Sequence, residues 1–135
     1  MTTVAEARNS VYQRWIDNWT LTPFVFEGEG DEDLFGGSVA WARLSYRNTD
    51  GGQKTLGPLN GRKYERFASA VIQLYTPSDE GLTEAGTLAQ AARAIFEGVT
   101  FDGIYFNNGV VREIGDDGRW FQTNVEVFSD YEETK

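Results

Sequence analysis

Neither histidine nor cysteine occurs in the 135 residues of this sequence. Histidine is the side chain most often used for proton transfer near neutral pH, and both residues are common zinc ligands. Cysteine would also be required for a disulfide or a thiol nucleophile. Catalysis would have to rest on carboxylates, lysine, tyrosine or serine. We therefore predict that the protein is not an enzyme and has no catalytic residues, no cofactor and no metal site.

Carboxylates are the remaining candidates for chemistry. The acidic run at residues 27–33 contains oxygen ligands that suit calcium, but its spacing does not match an EF-hand loop, so a solvated loop is favoured. A pair of aspartates lies in the segment 115–118, which reads as a hairpin turn. Three glutamates lie on predicted strands, and a carboxylate-based enzyme would need the sheet to bring them together: Glu65, Glu113 and Glu126.

The formal net charge is −9. Proteins that bind nucleic acids neutralise phosphates with clustered basic residues, so this charge disfavours a nucleic-acid-binding module. Aromatic side chains can stack on bases, but the four tryptophans occupy positions that are typical of a core: Trp15, Trp19, Trp41 and Trp120. A protein-binding function is favoured over both catalysis and nucleic-acid binding.

The chain begins with a predicted amphipathic helix over Val4–Asn18. Thr2 or Thr3 can cap it, and apolar residues follow at helical spacing. Pro23 ends this pattern, and Phe24–Phe26 reads as a short strand. No apolar run approaches the roughly 20 residues of a membrane helix, and the start lacks the features of a signal peptide, so we expect a cytoplasmic protein without a membrane partner.

Two long strands are predicted over residues 38–47 and 64–76. In the second strand, apolar side chains alternate onto both faces: Ala68, Ala70, Ile72 and Leu74 on one, Phe67, Val71 and Tyr75 on the other. Such a strand is typically central and covered on both sides, or it gives one face to a partner.

Residues 48–62 are predicted to form a long, turn-rich connection between these strands. A long loop in a compact domain is often a binding loop. The densest basic group in the chain lies partly in this loop and partly in the residues directly after it. We hypothesise that it contacts a protein partner. The alternative is a connecting loop with no binding role. The proposed interface residues are Gln53, Lys54, Thr55, Leu56, Arg62, Lys63 and Arg66.

A second helix is predicted to begin near residues 78–83 and to end at Gly98. Residues 104–106 form a strand of their own or part of the next one. Strands over 110–114 and 119–128 follow, and residues 130–135 form a polar tail. This order predicts an α+β fold, a mainly antiparallel β-sheet with two helices packed on one face, in a single domain spanning residues 1–135.

Residues 71–77, Val-Ile-Gln-Leu-Tyr-Thr-Pro, are followed by Gly81 and a predicted helix. With this segment as the most specific match, the chain resembles the tail terminator-like proteins of tailed phages and gene transfer agents over nearly its whole length. The acidic residues 27–33 depart from the family, whose members tend to be shorter and less acidic there. The other matching features, in chain order, are the helix with Trp15, residues 22–26, the Trp41 strand, Leu56-Gly57, residues 62–66, Ile114-Gly115 and residues 120–125.

The resemblance implies a structural virion protein at the junction of tail and head, assembled in the host cytoplasm. Such proteins form a hexameric ring on the last ring of the tail tube, stop its polymerisation and offer a surface to a head-completion or stopper protein. DNA would pass through the lumen of the ring without specific binding. The alternatives are a stopper or tail-completion protein and, from a different functional class, a small carboxylate-based enzyme.

Overall fold

A computed structural model describes residues 3–28, 40–53, 63–77, 82–116, 118 and 120–134. These residues form an α+β fold, in which two helices pack against one face of a mainly antiparallel sheet, as the sequence predicts. None of the described helices is both long and apolar enough to span a membrane.

The first helix, α1 (Val4–Asn18), is confirmed at the bounds that the sequence predicts. Thr3 caps it, because its hydroxyl accepts a hydrogen bond from the backbone N–H of Glu6. Trp19 adopts an extended backbone and ends the helix. The short strand β1 (Phe24–Phe26) follows and is also confirmed.

The remaining elements complete one six-stranded sheet in the order β1-β2-β3-β6-β5-β4. Only β1 and β2 are parallel; each of the other neighbouring pairs is antiparallel. Gly98, with a φ of 71°, lies just beyond the second helix, where the sequence places the stop signal. The elements are β2 (Trp41–Gln53), β3 (Lys63–Pro77), α2 (Leu82–Phe96), β4 (Thr100–Phe101), β5 (Ile104–Asp116) and β6 (Trp120–Thr134).

Strand β3 lies between β2 and β6 and is the centre of the sheet, as its two apolar faces predict. Its even-numbered residues from 68 to 74 belong to the main core together with residues of α1 and α2, and we call this side of the sheet the helix face. The opposite side is called the open face. All four tryptophans are buried, as predicted. The β3 residues in the main core are Ala68, Ala70, Ile72 and Leu74.

Two segments predicted to be irregular are strands instead. Strand β2 continues to Gln53, so the predicted connection over residues 48–62 is shorter by six residues at its start. Strand β6 continues to Thr134, so the predicted polar tail at 130–135 is wrong. Both extensions pair with β3, whose first residues, Lys63 and Tyr64, lie opposite Thr134 and Gln53 respectively. Cross-strand hydrogen bonds thus order residues whose side chains alone indicate a loop.

Strand β5 contains two segments that the sequence predicts either as one strand or as two. Residues 104–106 and 110–114 lie on one strand, with an irregularity between Phe106 and Gly109. Gly109 is required there, because a Cβ atom would lie 2.7 Å from the Cγ of Arg93 on α2. The backbone N–H of Gly109 also donates to the carboxylate of Glu97 at 2.8 Å. The close approach of the Arg93 side chain on α2 therefore explains the glycine at this position.

A buried polar network lies on the helix face between β2, β3 and β6. The hydroxyl of Ser129 donates to the carbonyl of Ala68 at 3.0 Å, so the hydroxyl of Tyr46, 2.7 Å away, donates to Ser129. The hydroxyl of Tyr131 donates to Asn48. Burial raises the pKa of Tyr46 to about 12 and also raises the pKa of Tyr131.

We expect these tyrosines to make the protein sensitive to alkali. An unfolded tyrosine has a pKa of about 10, so the unfolded state releases its proton first as the pH rises. The stability contributed by neutral Tyr46 is complete below pH 10 and is lost as the pH rises through about 12, by about 3 kcal/mol. Urea unfolding between pH 8 and pH 12 measures this loss.

The substitution Tyr46→Phe tests whether Tyr46 causes the loss of stability at high pH. It should cost about 1 kcal/mol at pH 8, where a hydrogen bond is lost, and should reduce the decline at high pH. Tyr105→Phe is the matched control, since Tyr105 is exposed, and it should retain the decline. An equally steep decline in the Tyr46→Phe variant would contradict the assignment.

Candidate functional site

The structure places the predicted interface residues only in part. Lys54, Thr55, Leu56 and Arg62 lie outside the described residues. Gln53 is the last residue of β2, and Lys63 and Arg66 lie on β3.

Lys63 and Arg66 do not share a surface. Successive side chains of a strand point to opposite faces, so Lys63 lies on the open face and Arg66 on the helix face. Arg66 is half-buried and forms an ion pair with Glu133 at 2.9 Å, and its guanidinium lies over the ring of Tyr64. Arg66 therefore stabilises the pairing of β3 with β6 rather than presenting a free charge to a partner.

The three glutamates considered for catalysis are separated by the sheet. Glu65 and Glu126 lie on the open face, whereas Glu113 pairs with Thr123 and lies on the helix face. Glu126 is opposite Val71, six residues along β3 from Glu65, a separation of roughly 20 Å. No group of three or more acidic residues within the described ranges is arranged to hold a metal ion.

One margin of the sheet ends in a long stretch of β5. Strand β4 pairs only with Ile104 and Tyr105, and the backbone N–H of Phe106 donates to the carbonyl of Val99. Beyond Gly109, residues 110–114 have no neighbouring strand on their outer side within the described part of the chain. Two apolar side chains in this stretch are exposed, Val111 at 36% and Ile114 at 55%.

The other margin is formed by β1 and the second half of β2. Strand β1 covers only residues 42–44 of β2. The guanidinium of Arg8, on α1, donates two hydrogen bonds to the carbonyl of Tyr46, at 3.0 and 3.1 Å. Past this point, residues 47–50 also have no neighbouring strand on their outer side among the described elements. Within the residues that the structure describes, the sheet therefore has an open edge at each margin, and the two edges differ in sequence.

The open face has two distinct ends. At one end, the Trp41 and Tyr75 rings stack at 4.3 Å and Trp120 packs edge-on against Trp41 at 6.2 Å. Ile114 and Gln122 join Tyr75 and Trp120 around a shallow cleft of about 170 Å³. At the other end, aromatic side chains are exposed instead of packed.

The exposed end carries Phe67, Tyr105 and Phe128, with exposed fractions of 40%, 52% and 38%. The sequence predicts Phe67 on this face of β3, but it gives no sign that Tyr105 and Phe128 lie on neighbouring strands beside it. That arrangement depends on β5 and β6 continuing to pair beyond the predicted strand ends. Exposed large apolar groups on a sheet face are typical of a binding surface.

Comparison with known proteins supports the fold and does not extend to function. No family model and no curated protein matches this chain. A solved structure, of a protein identified by a sequence number alone, is similar to it with a TM-score of 0.59 and 11% identity. The match covers 98% of this chain and 96% of that chain. At this identity the similarity concerns the fold alone.

Proposed function

We propose that this protein is a tail terminator-like protein that forms a closed ring of identical subunits on the end of a phage-type tail tube. The ring would stop tube polymerisation and present a surface for joining the head. The proposal combines the family resemblance of the sequence with one structural observation, the two open sheet edges.

A ring requires contacts between two different surfaces of the same subunit. The open edge of β5, at residues 110–114, and that of β2, at residues 47–50, lie at opposite margins of the sheet. Unpaired backbone groups at a sheet edge are a template for strand addition by another chain. Pairing of the β5 edge of one subunit with the β2 edge of the next would be heterologous. It closes into a ring if the rotation per subunit is a whole fraction of a full turn and there is no rise along the axis.

Edge pairing would also place the helices of every subunit on the same side of the continuous sheet. Both α1 and α2 pack on the helix face, so all subunits of such a ring would present helices on one side and the open face on the other. The helix face is then free of the ring contact. The open face remains available to other partners.

Light scattering of the purified protein, alone and mixed with tail tubes, tests the proposal together with electron microscopy of the tubes. We expect a hexamer, or a monomer that becomes a ring on tube ends, and tubes of unregulated length when the protein is omitted. A monomer that leaves tube ends bare and tube length unchanged would refute the proposal. Attachment to a head without any effect on tube length would instead indicate a stopper protein.

A further inference from the structure

The exposed end of the open face surrounds a carboxylate with aromatic rings. Phe67 on β3 and Tyr105 on β5 are both directly opposite Asp130 on β6. Neighbouring strands are about 5 Å apart, so the carboxylate lies in a row between the two rings. Phe128 lies two residues before Asp130 on the same face, about 7 Å along the strand. We call these four residues the aromatic–carboxylate cluster.

The charge next to the cluster is also negative. In the next row of the sheet, Glu65 is directly opposite Glu132 on the same face. Lys63 lies on the same face, two residues before Glu65 on β3, so the charge of this row is offset in part from within the chain. The side-chain amide of Asn107 donates to the Asp130 carboxylate at 3.3 Å, which orients the carboxylate without neutralising it.

The arginines in the described part of the chain are already engaged elsewhere. Arg8 and Arg14 donate to backbone carbonyls, and Arg43 lies over the ring of Trp41. The others pair with glutamates outside the cluster: Arg47 with Glu27, Arg66 with Glu133, Arg93 with Glu97 and Arg112 with Glu126. None of these arginines therefore pairs with the carboxylate of the cluster.

We propose that the aromatic–carboxylate cluster binds an arginine side chain on a segment of a partner protein. A guanidinium is planar, stacks on aromatic faces and donates two parallel hydrogen bonds to a carboxylate. The cluster offers both features, a carboxylate with a ring on each side. A lysine ammonium would satisfy the charge but not the stacking geometry. This assignment goes beyond the proposed function and does not depend on ring formation.

The probe is a tetra-arginine peptide added to the intact protein in solution at about 0.15 M salt, where weak surface attraction is screened. Aromatic NMR signals report binding, and we expect those of Phe67, Tyr105 and Phe128 to shift. A tetra-citrulline peptide has the same shape without the charge and should produce no shift. Equal affinity for tetra-lysine would overturn the assignment to arginine.

Two carboxylate variants locate the site. Asp130→Asn should weaken tetra-arginine binding at least about tenfold, because the charged acceptor is removed at nearly constant shape. Glu126→Gln is the matched control, since Glu126 lies on the same face and pairs with Arg112. Equal weakening in the two variants, or unchanged binding in Asp130→Asn, would overturn the proposal. The assay contains no tail tubes, so its failure and a failure of ring assembly are distinguishable.

Discussion

Replacement of Trp15 by alanine is expected to lower the free energy of unfolding by about 4 kcal/mol, the largest loss that we predict for a single residue. Trp15 is fully buried, stacks on Trp19 at 4.5 Å and on Phe96 at 6.5 Å, and meets Phe24 edge-on at 5.9 Å. It thus joins α1 to α2 and to β1. Alanine would leave a cavity where three elements meet, and urea unfolding at neutral pH measures the cost.

Two further variants on the same helix make this test specific. Ile16→Ala changes the adjacent residue, which is 45% exposed, and should cost less than about 0.5 kcal/mol. Trp15→Phe should cost much less than Trp15→Ala, because the buried Trp15 indole N–H has no hydrogen-bond partner among the described residues. Similar losses for Trp15→Ala and Ile16→Ala would show that α1 is not anchored by this residue.

The largest functional effect is expected from the double substitution Val111→Lys and Ile114→Lys on the open edge of β5. Lysines on an edge strand oppose edge-to-edge pairing, which is how many natural sheets avoid association. Ring assembly should weaken at least about tenfold, equivalent to about 1.4 kcal/mol, while the fold persists because both side chains are exposed. Electron microscopy of tube ends and light scattering measure the outcome.

Leu82→Lys is the control for this variant. Leu82 is 58% exposed at the start of α2, so the substitution also replaces an exposed apolar side chain by lysine, but away from the sheet edges. It should leave ring assembly unchanged. Normal rings from the β5 variant, with circular dichroism like that of the unsubstituted protein, would exclude edge pairing as the ring contact.

Local pattern was sufficient to predict the helices and the centre of the sheet. The bounds of α1 follow from its cap and from apolar spacing, which are properties of neighbouring residues. The central position of β3 follows from apolar side chains on both of its faces. The fold class follows from the order of these elements.

The sequence pattern gave wrong predictions where polar residues belong to a strand because they pair with a segment that is distant in the chain. Residues 130–134 contain four polar side chains around Tyr131, and nothing local distinguishes them from a tail. Their pairing with the start of β3 makes them a strand, with Tyr131 buried against Asn48. For the same reason the start of the predicted loop belongs to β2, and Arg66 forms an ion pair with Glu133 on β6.

The sequence by itself determined the α+β class, the apolar helix stripes, the two-faced central strand and the absence of histidine and cysteine chemistry, because each depends on composition or on residues close in the chain. Only the tertiary structure decided which strands are neighbours, and hence that each margin of the sheet has an open edge within the described part of the chain and that Phe67, Tyr105 and Phe128 surround Asp130. Strand register is a long-range property, set by hydrogen bonds and core packing between segments that are far apart in sequence.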